Sequence, residues 1–188
     1  MKLKYIICGF VVLALLAGCA KPPTEEMKKA EEAVFKAEND EAAVLYGGGS
    51  LSRAKDALRR MKTAADSKSY DEAKNHADTA IAAANRAIED GKTGLARAKS
   101  ESENLLTGLK PAIEETQSNI NGARYSLLKL DYDQMNRELK NAKDTLEQAV
   151  NDQAKGNYKD ALEKGMSVRV TLTDINQRIA DAAPRKKS

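Results

Sequence analysis

The 188-residue sequence has no tryptophan, a single histidine, His76, and two cysteines, Cys8 and Cys19, both near the start of the chain. Without a second histidine or a cysteine beyond residue 19, the usual side chains of hydrolytic triads and zinc sites are missing. Nor can a disulfide form within the chain after Cys19. The sequence therefore predicts no catalytic residue, no metal site and no cofactor, and it favours a non-enzymatic protein.

An excess of either charge is also lacking. The chain holds 31 basic and 28 acidic residues, and Lys2 and Lys4 belong to the N-terminal segment, so 29 basic residues face 28 acidic ones after it. A nearly neutral chain is a poor ligand for nucleic acid. The basic cluster 185–187, in the tail 184–188, is interpreted as a solvated end. The alternative is contact with acidic lipid headgroups or cell-wall polymer.

The one long apolar run, Tyr5–Leu16, follows two lysines and is too short to span a bilayer, which takes about 20 apolar residues. Such a run is typical of an export signal. The residues after it, Leu16-Ala17-Gly18-Cys19, resemble the lipobox of bacterial lipoproteins. That resemblance implies a signal peptide over 1–18, cleavage between Gly18 and Cys19, a lipid on Cys19 and a tether over 19–23. An ordinary secretory signal is the alternative.

The lipobox also bears on localisation. A lipidated cysteine would attach the protein to a membrane of the cell envelope. By resemblance to proteobacterial sorting rules, Ala20 after the cysteine favours the outer membrane. An inner-membrane location and exposure at the cell surface stay open as alternatives.

From residue 24 to residue 183, apolar residues recur at spacings of three and four, which predicts amphipathic helices. Alanine supplies much of the apolar content, so the helices are expected to pack closely and to leave few sizeable pockets. The predicted fold is all-α, an elongated bundle of antiparallel helical hairpins with about six helices. Their predicted ranges are 24–46, 50–67, 70–107, 111–129, 132–154 and 157–182.

Glycine and proline mark the predicted breaks between these helices. The run Gly47-Gly48-Gly49 is unfavourable in a helix interior and is interpreted as a flexible hinge. Pro111 disfavours helix at the residue before it and predicts a boundary there. Gly91 and Gly94 are expected to kink or interrupt the third helix.

Three predicted turns share one pattern, in which a capping residue precedes a tyrosine and an acidic or amide residue follows three positions after the cap. Each tyrosine is expected to pack across the corner onto the preceding helix, as a structural residue. The turns are Ser69-Tyr70, Asp131-Tyr132 and Asn157-Tyr158.

An internal repeat is suggested by a constant offset of 88 residues. Ala54-Lys55-Asp56 recurs as Ala142-Lys143-Asp144, and Tyr70 recurs as Tyr158. One offset across two helices indicates duplication of a hairpin, with repeats over 24–110 and 111–183.

Two family resemblances bear on function. With the lipobox, the pattern Leu-x2-Ala-x3-Leu followed by Ser-Tyr-x2-Ala makes residues 24–98 resemble a family of bacterial envelope lipoproteins catalogued as a domain of unknown function. The segment 156–162 resembles the turn between the helices of a tetratricopeptide repeat, which implies similar hairpin packing without the superhelical groove.

These features favour a structural or adaptor lipoprotein whose helical surfaces bind a protein partner in the envelope. The alternative is a ligand-binding lipoprotein that holds a peptide, lipid or glycan in a groove between helical hairpins.

Overall fold

A computed structural model describes residues 21–184 of the chain. Within that range the secondary structure is helical, without strands, and six helices pack antiparallel, which confirms the predicted all-α fold. The signal peptide, the cleavage site at Gly18, the lipidation site at Cys19 and tail residues 185–188 lie outside the described residues. The helices are α1 (Thr24–Glu38), α2 (Glu41–Tyr46), α3 (Gly48–Asp66), α4 (Tyr70–Tyr125), α5 (Tyr132–Ala154) and α6 (Tyr158–Ala182).

The chain divides into two compact units, with the boundary after Lys92. The first unit contains α1, α2, α3 and the part of α4 up to Lys92. The second unit contains α4 from Thr93 onward, α5 and α6. Helix α4 runs across the boundary, so each unit is built on one part of the same 56-residue helix.

The break predicted near Pro111 is wrong, because α4 continues through it. The proline is exposed, so the carbonyl that loses its amide partner lies on the solvent side of the helix. Leu106, Leu109 and Ile113, on either side of it, are buried in the core of the second unit. Their burial keeps this segment helical despite the local preference of proline. The predicted end at residue 129 is also late, since α4 ends at Tyr125.

The single helix predicted over 24–46 is divided in two at Asn39 and Asp40. The Asp40 carboxylate accepts a hydrogen bond from the backbone N–H of Ala43 at 2.8 Å and so caps a new helix, α2. Aspartate competes with the helical backbone for amide donors, which explains why the apolar periodicity alone missed this break.

The glycine run is a helix start and not a flexible hinge. Gly47 lies between α2 and α3, while Gly48 and Gly49 form the first turn of α3. A Cβ atom on Gly47 would lie 2.2 Å from the carbonyl oxygen of Ala87, so the absence of a side chain lets this loop touch α4. The expected interruption of α4 at Gly91 and Gly94 is also wrong. A Cβ atom on Gly91 would lie 2.5 Å from the backbone nitrogen of Ala43, so Gly91 is a site of close helix contact.

The core of the first unit consists mostly of alanine. Its helical spacing was predicted, but on α4 the buried positions include Ala80 and Ala87, whereas Ile81 and Ile88 are only partly buried beside them. The larger side chains thus flank the seam, and the helices meet through the smallest ones. The buried members are Ala30, Val34, Ala37, Ala43, Leu51, Ala54, Ala57, Met61, Ala77, Ala80, Ala84 and Ala87.

The core of the second unit is made of larger side chains. The stripe predicted on α5 is buried throughout, and α6 buries its predicted stripe from Ala161 to Ile175. Branched and linear aliphatic residues dominate it, with three alanines. The members are Leu106, Leu109, Ile113, Ile120, Met135, Leu139, Ala142, Leu146, Ala149, Ala161, Val168, Leu172 and Ile175.

Candidate functional site: a groove in the second unit

A groove with a volume of about 980 Å³ runs between α4 and α6 in the second unit. Its lining residues recur at spacings of three and four on both helices, so one face of each helix forms a wall. On α4 they are Glu101, Asn104, Leu105, Gly108, Leu109, Ala112, Glu115, Thr116 and Asn119. On α6 they are Leu162, Met166, Arg169, Leu172, Thr173, Asn176 and Gln177.

The middle of the groove is apolar. Leu109 and Leu172 belong to the buried core, Leu105 and Ala112 pack against it, and Met166 is 48% exposed at the rim. An apolar surface that is continuous with the core and open to solvent is a favourable place to bury an apolar ligand group.

One end of the groove is closed by a network of hydrogen bonds between α4 and α6. Asn176 Nδ2 donates to Thr116 Oγ1 at 2.8 Å and to the carbonyl of Leu172 at 2.9 Å. Asn119 Nδ2 donates to Asn176 Oδ1 at 2.9 Å. Because Thr116 is 1% exposed, these bonds satisfy a hydroxyl that would otherwise be buried without a full set of partners. The network fixes the distance between the two walls at this end.

Two glycines shape the groove in opposite ways. A Cβ atom on Gly165 would lie 2.8 Å from Leu105 Cδ2, so this glycine lets α6 approach α4 closely. A Cβ atom on Gly108 would meet nothing within 4 Å, and this glycine lines the groove. Gly108 therefore leaves space that a side chain would fill.

The rim of the groove carries charges of both signs. Glu101 and Glu115 lie on α4, and Arg169 on α6 directs its guanidinium toward the Met166 sulfur, with a distance of 2.9 Å between Nη2 and Sδ. Across the described residues no group of three or more His, Cys, Asp or Glu side chains could hold a metal ion. The groove offers apolar contact, amides, hydroxyls and single charges, which is chemistry for binding.

Outside the groove, the second unit holds a polar cluster that ties α4, α5 and α6 together. Gln153 Nε2 donates to Ser102 Oγ at 3.2 Å, and Lys164 Nζ donates to the carboxylate of Asp152. The pKa of Lys164 is raised because of this hydrogen bond, and the negative charge of Asp152 adds to the effect. These contacts hold the helices beneath the groove in register.

The three predicted turns lie between helices, and the structure adds a feature that they share. Two positions after the end of each preceding helix, the backbone is left-handed, with φ of 59°, 54° and 85° at Lys68, Leu127 and Gly156. The next residue donates its N–H to the carbonyl five positions earlier, as in Ser69 to Ala64, Leu128 to Ala123 and Asn157 to Asp152. Only the last of these left-handed positions, residue 156, is a glycine, so the sequence gives a signal for that turn alone.

The side chains of the turns differ in what they contact. Asp131 accepts a hydrogen bond from Gln134 N at 2.9 Å and caps α5, whereas the cap predicted at Asn157 is wrong, because its side chain makes no capping bond. Tyr132 packs against the core of the second unit, and its hydroxyl donates a hydrogen bond to the carbonyl of Leu128 at 2.8 Å. The guanidinium carbon of Arg124 lies 5.0 Å from the centre of the Tyr132 ring. Ser69 directly precedes α4, and Tyr70 and Tyr158 are half-buried at the starts of α4 and α6. None of these residues lines the groove.

The residues of the groove were not predicted as a site. From the sequence alone we expect three polar residues, Thr116, Asn119 and Asn176, on helix surfaces. Their contacts depend on how α4 and α6 pack. A weak signal was present, because Thr116 and Asn176 fall beside the apolar stripes, where the first unit places alanine or isoleucine.

Residues 25–102 match the family model of DUF4398, a domain of unknown function. The matched segment contains α1, α2, α3 and α4 as far as Ser102, so it corresponds to the first unit and the start of the second. It bears out the resemblance of residues 24–98 to a family of unknown function. Lipid attachment and tetratricopeptide-like packing stay predictions.

No curated protein and no solved structure matches the chain. Within residues 21–184, no helix is both long and apolar enough to cross a membrane.

Proposed function

We propose that this protein is a lipid-anchored envelope lipoprotein, with its lipid on Cys19, that acts as a non-enzymatic adaptor by binding a protein partner in the groove of the second unit. The supporting observation is the groove itself, an amphipathic surface of about 980 Å³ bounded by two helices and shaped by Gly108. Proteins use such grooves between packed helices to hold partner segments. The outer membrane is the favoured location, on the evidence of Ala20.

Two sequence features support this proposal. The lipobox at 16–19 supplies a lipid anchor, since two or three acyl chains hold a protein firmly at a bilayer. The turn at 156–162, similar to that of tetratricopeptide repeats, is typical of proteins that present paired helices to partners.

The anchor is tested by Cys19→Ala. We expect the variant to leave the membrane fraction or to accumulate as an uncleaved precursor, because the lipid is the proposed attachment. Partition of the variant into the detergent phase to the same extent as the wild type would contradict the anchor.

The adaptor role is tested by a photo-crosslinking amino acid placed in intact cells at Met166, on the rim of the groove. The matched control is the same amino acid at exposed Lys159, near the start of α6 and outside the groove. We expect a discrete protein adduct at position 166 and none at position 159. Equal labelling at both positions, or none at either, would contradict binding in the groove.

A second candidate is a carrier of a small ligand such as a lipid or glycan. The observation that favours it is the groove volume, which lies within the range of small-molecule sites, about 300–1,000 Å³. In this case, lipid or glycan would co-purify with the protein, and the Gly108→Leu variant would release it.

A further inference from the structure

The turn between α4 and α5 carries the two most exposed large apolar side chains of the described residues. Tyr125, the last residue of α4, is 89% exposed, and Leu127 is 86% exposed. The next in order, Phe35 and Val170, reach only 68% and 67%. Single exposed apolar residues are common on protein surfaces, but here two of them share one turn. The turn therefore offers an apolar surface that the fold does not bury.

Leu127 occupies its position at a conformational cost. Its φ of 54° lies in the left-handed region, which a Cβ atom disfavours and glycine accepts. The other two turns have a charged residue, Lys68, and a glycine, Gly156, at the equivalent left-handed position. Because the Leu127 side chain is exposed, packing within the chain does not offset the cost. An unfavourable backbone that presents an apolar side chain to solvent points to a binding role.

Basic residues flank the apolar pair. Arg124 and Lys129 are both exposed, one on each side of it. The nearest acidic residues along the chain are Asp131, whose carboxylate caps α5, and Asp133. The segment 124–130 thus carries two positive charges and no negative one.

Helix α6 ends at the same end of the second unit as this turn. Asn176 on α6 is hydrogen-bonded to Asn119 on α4, and each lies six residues before the end of its helix. The basic cluster 185–187 lies outside the described residues, but it begins three residues after α6, at most about 11 Å of chain away. With the turn, this makes five basic residues, against three acidic ones within a turn of the helix ends. The acidic residues are Asp131, Asp133 and Asp181.

We propose that this end of the second unit binds the surface of an anionic phospholipid bilayer and inserts Tyr125 and Leu127 among the headgroups. Tyrosine is favoured at this interface, because its ring leaves water while its hydroxyl stays hydrated. Leucine gains from burial at the boundary with the acyl chains. Lysine and arginine pair with anionic headgroups while their aliphatic stems cover apolar surface. The turn does not line the groove, so the proposal goes beyond the proposed adaptor function.

Two other partners fit this turn less well. An acidic polymer of the cell wall would pair with the basic residues but would leave Tyr125 and Leu127 in water. A stable protein interface takes about 800 Å² from each partner, and a single turn supplies only a small part of that area. A fluid bilayer can surround a narrow turn without a preformed complementary surface.

The sequence has no tryptophan, so one introduced tryptophan reports on a single position. The test adds the full-length Leu127→Trp variant to vesicles of phosphatidylglycerol and phosphatidylcholine, with or without bromine on the acyl chains. We expect the emission to shift to shorter wavelength and to be quenched by the brominated lipid, because the indole leaves water. The control is Lys155→Trp, at the exposed turn on the opposite end of the same unit, whose emission should show neither effect.

Tyr125→Trp repeats the measurement at a helical position, in case tryptophan at the left-handed position disturbs the fold. We expect the same shift and quenching as at position 127. A circular dichroism spectrum like that of the wild type checks the fold of each variant.

The role of charge is tested in the Leu127→Trp background. We expect Lys129→Gln to lower the ratio of inserted to free turn about fivefold, the usual contribution of one basic residue at an anionic surface. Lys159→Gln, an exposed lysine near the opposite end of the unit, should leave the ratio unchanged. Vesicles of phosphatidylcholine alone should give little insertion.

The proposal is overturned if tryptophans at positions 127 and 155 give the same emission and quenching in anionic vesicles. It is also overturned if insertion is as strong in phosphatidylcholine alone. The mass of the purified protein shows separately whether Cys19 carries a lipid. Absence of the lipid anchor and absence of insertion by the turn are therefore distinct results.

Discussion

The two units place buried residues at equivalent positions but fill them with side chains of different size. At the 88-residue offset, Ala80, Ala84 and Ala87 of the first unit correspond to Val168, Leu172 and Ile175 of the second, and all six are buried. The first unit brings backbones together through alanine and glycine. The second packs its helices through larger side chains and has an open groove between α4 and α6.

A polar contact also recurs at the same offset, with its charges reversed. In the first unit, Asp90 accepts a hydrogen bond from Ser50 at 2.7 Å and pairs with Arg86 at 2.8 Å. In the second unit, Arg178 pairs with Glu138 on α5 and with Asp174 at 3.1 Å. Each member lies 88 residues from its counterpart. This arrangement adds to the sequence pattern that suggested a duplication.

The largest expected effect comes from exchanging core residues between units. Ile175→Ala should lower the free energy of unfolding by about 2–5 kcal/mol, because Ile175 is fully buried and its removal leaves a cavity. The reciprocal change, Ala87→Ile, should cost about 1–3 kcal/mol through overpacking next to Gly47. Urea unfolding followed by circular dichroism measures both. A neutral Ala87→Ile would show that the first unit has room for a larger core.

The next effect separates backbone contact from side-chain contact. A Cβ atom on Gly91 would meet the backbone of α2, whereas one on Gly165 would meet the end of the Leu105 side chain, which can move. We expect Gly91→Ala to lower stability by about 1–3 kcal/mol and Gly165→Ala by less. Thermal unfolding of the two variants compares them directly, and the reverse order would refute the packing difference between the units.

A smaller effect is expected from the recurring polar contact. Glu138→Ala and Arg178→Ala, alone and combined, form a double-mutant cycle, and we expect a coupling energy of about 1 kcal/mol, because the Arg178 side chain is 29% exposed and partly screened. A coupling energy near zero would mean that the ion pair forms but does not stabilise the folded protein.

The smallest effect concerns the left-handed helix ends. Leu127 has a φ of 54° and is 86% exposed, so Leu127→Gly relieves backbone strain and gives up little packing. We expect stability to rise by about 0.5–1 kcal/mol, and Gly156→Ala to lower it by about 1 kcal/mol. Melting temperatures measure both changes, and a loss of stability in Leu127→Gly would assign a packing role to that leucine.

Local sequence signals correctly predicted the helices whose ends and buried faces depend on residues close together in the sequence. The apolar stripes of α5 and α6, and the cap at Asp131, follow from spacing and from side-chain chemistry that act within a few residues. Predictions failed where distant contacts outweigh local preference. Burial of Leu109 and Ile113 keeps α4 helical through Pro111, and the close approach of Ala43 explains why a glycine stands at position 91 inside a continuous helix.

The groove could not be predicted for a related reason. Its walls belong to helices separated by α5, and the expectation of few pockets assumed alanine seams throughout the chain. That expectation is wrong for the second unit, where Leu172 stands at the position of Ala84 and where Leu105 and Leu109 also line the groove. The amino-acid composition of the whole chain averages the two units and therefore does not show that their cores differ in side-chain size.

Under the proposed function, the groove of the second unit is occupied in the cell. The most direct measurement compares single cysteines at Met166 and at Asp78, its exposed counterpart 88 residues earlier, by their rates of maleimide labelling in intact cells and in the purified protein. We predict that the cysteine of Met166→Cys reacts several-fold more slowly in cells than after purification, while that of Asp78→Cys reacts at similar rates in both. Equal ratios at the two positions would mean that no partner occupies the groove in the cell.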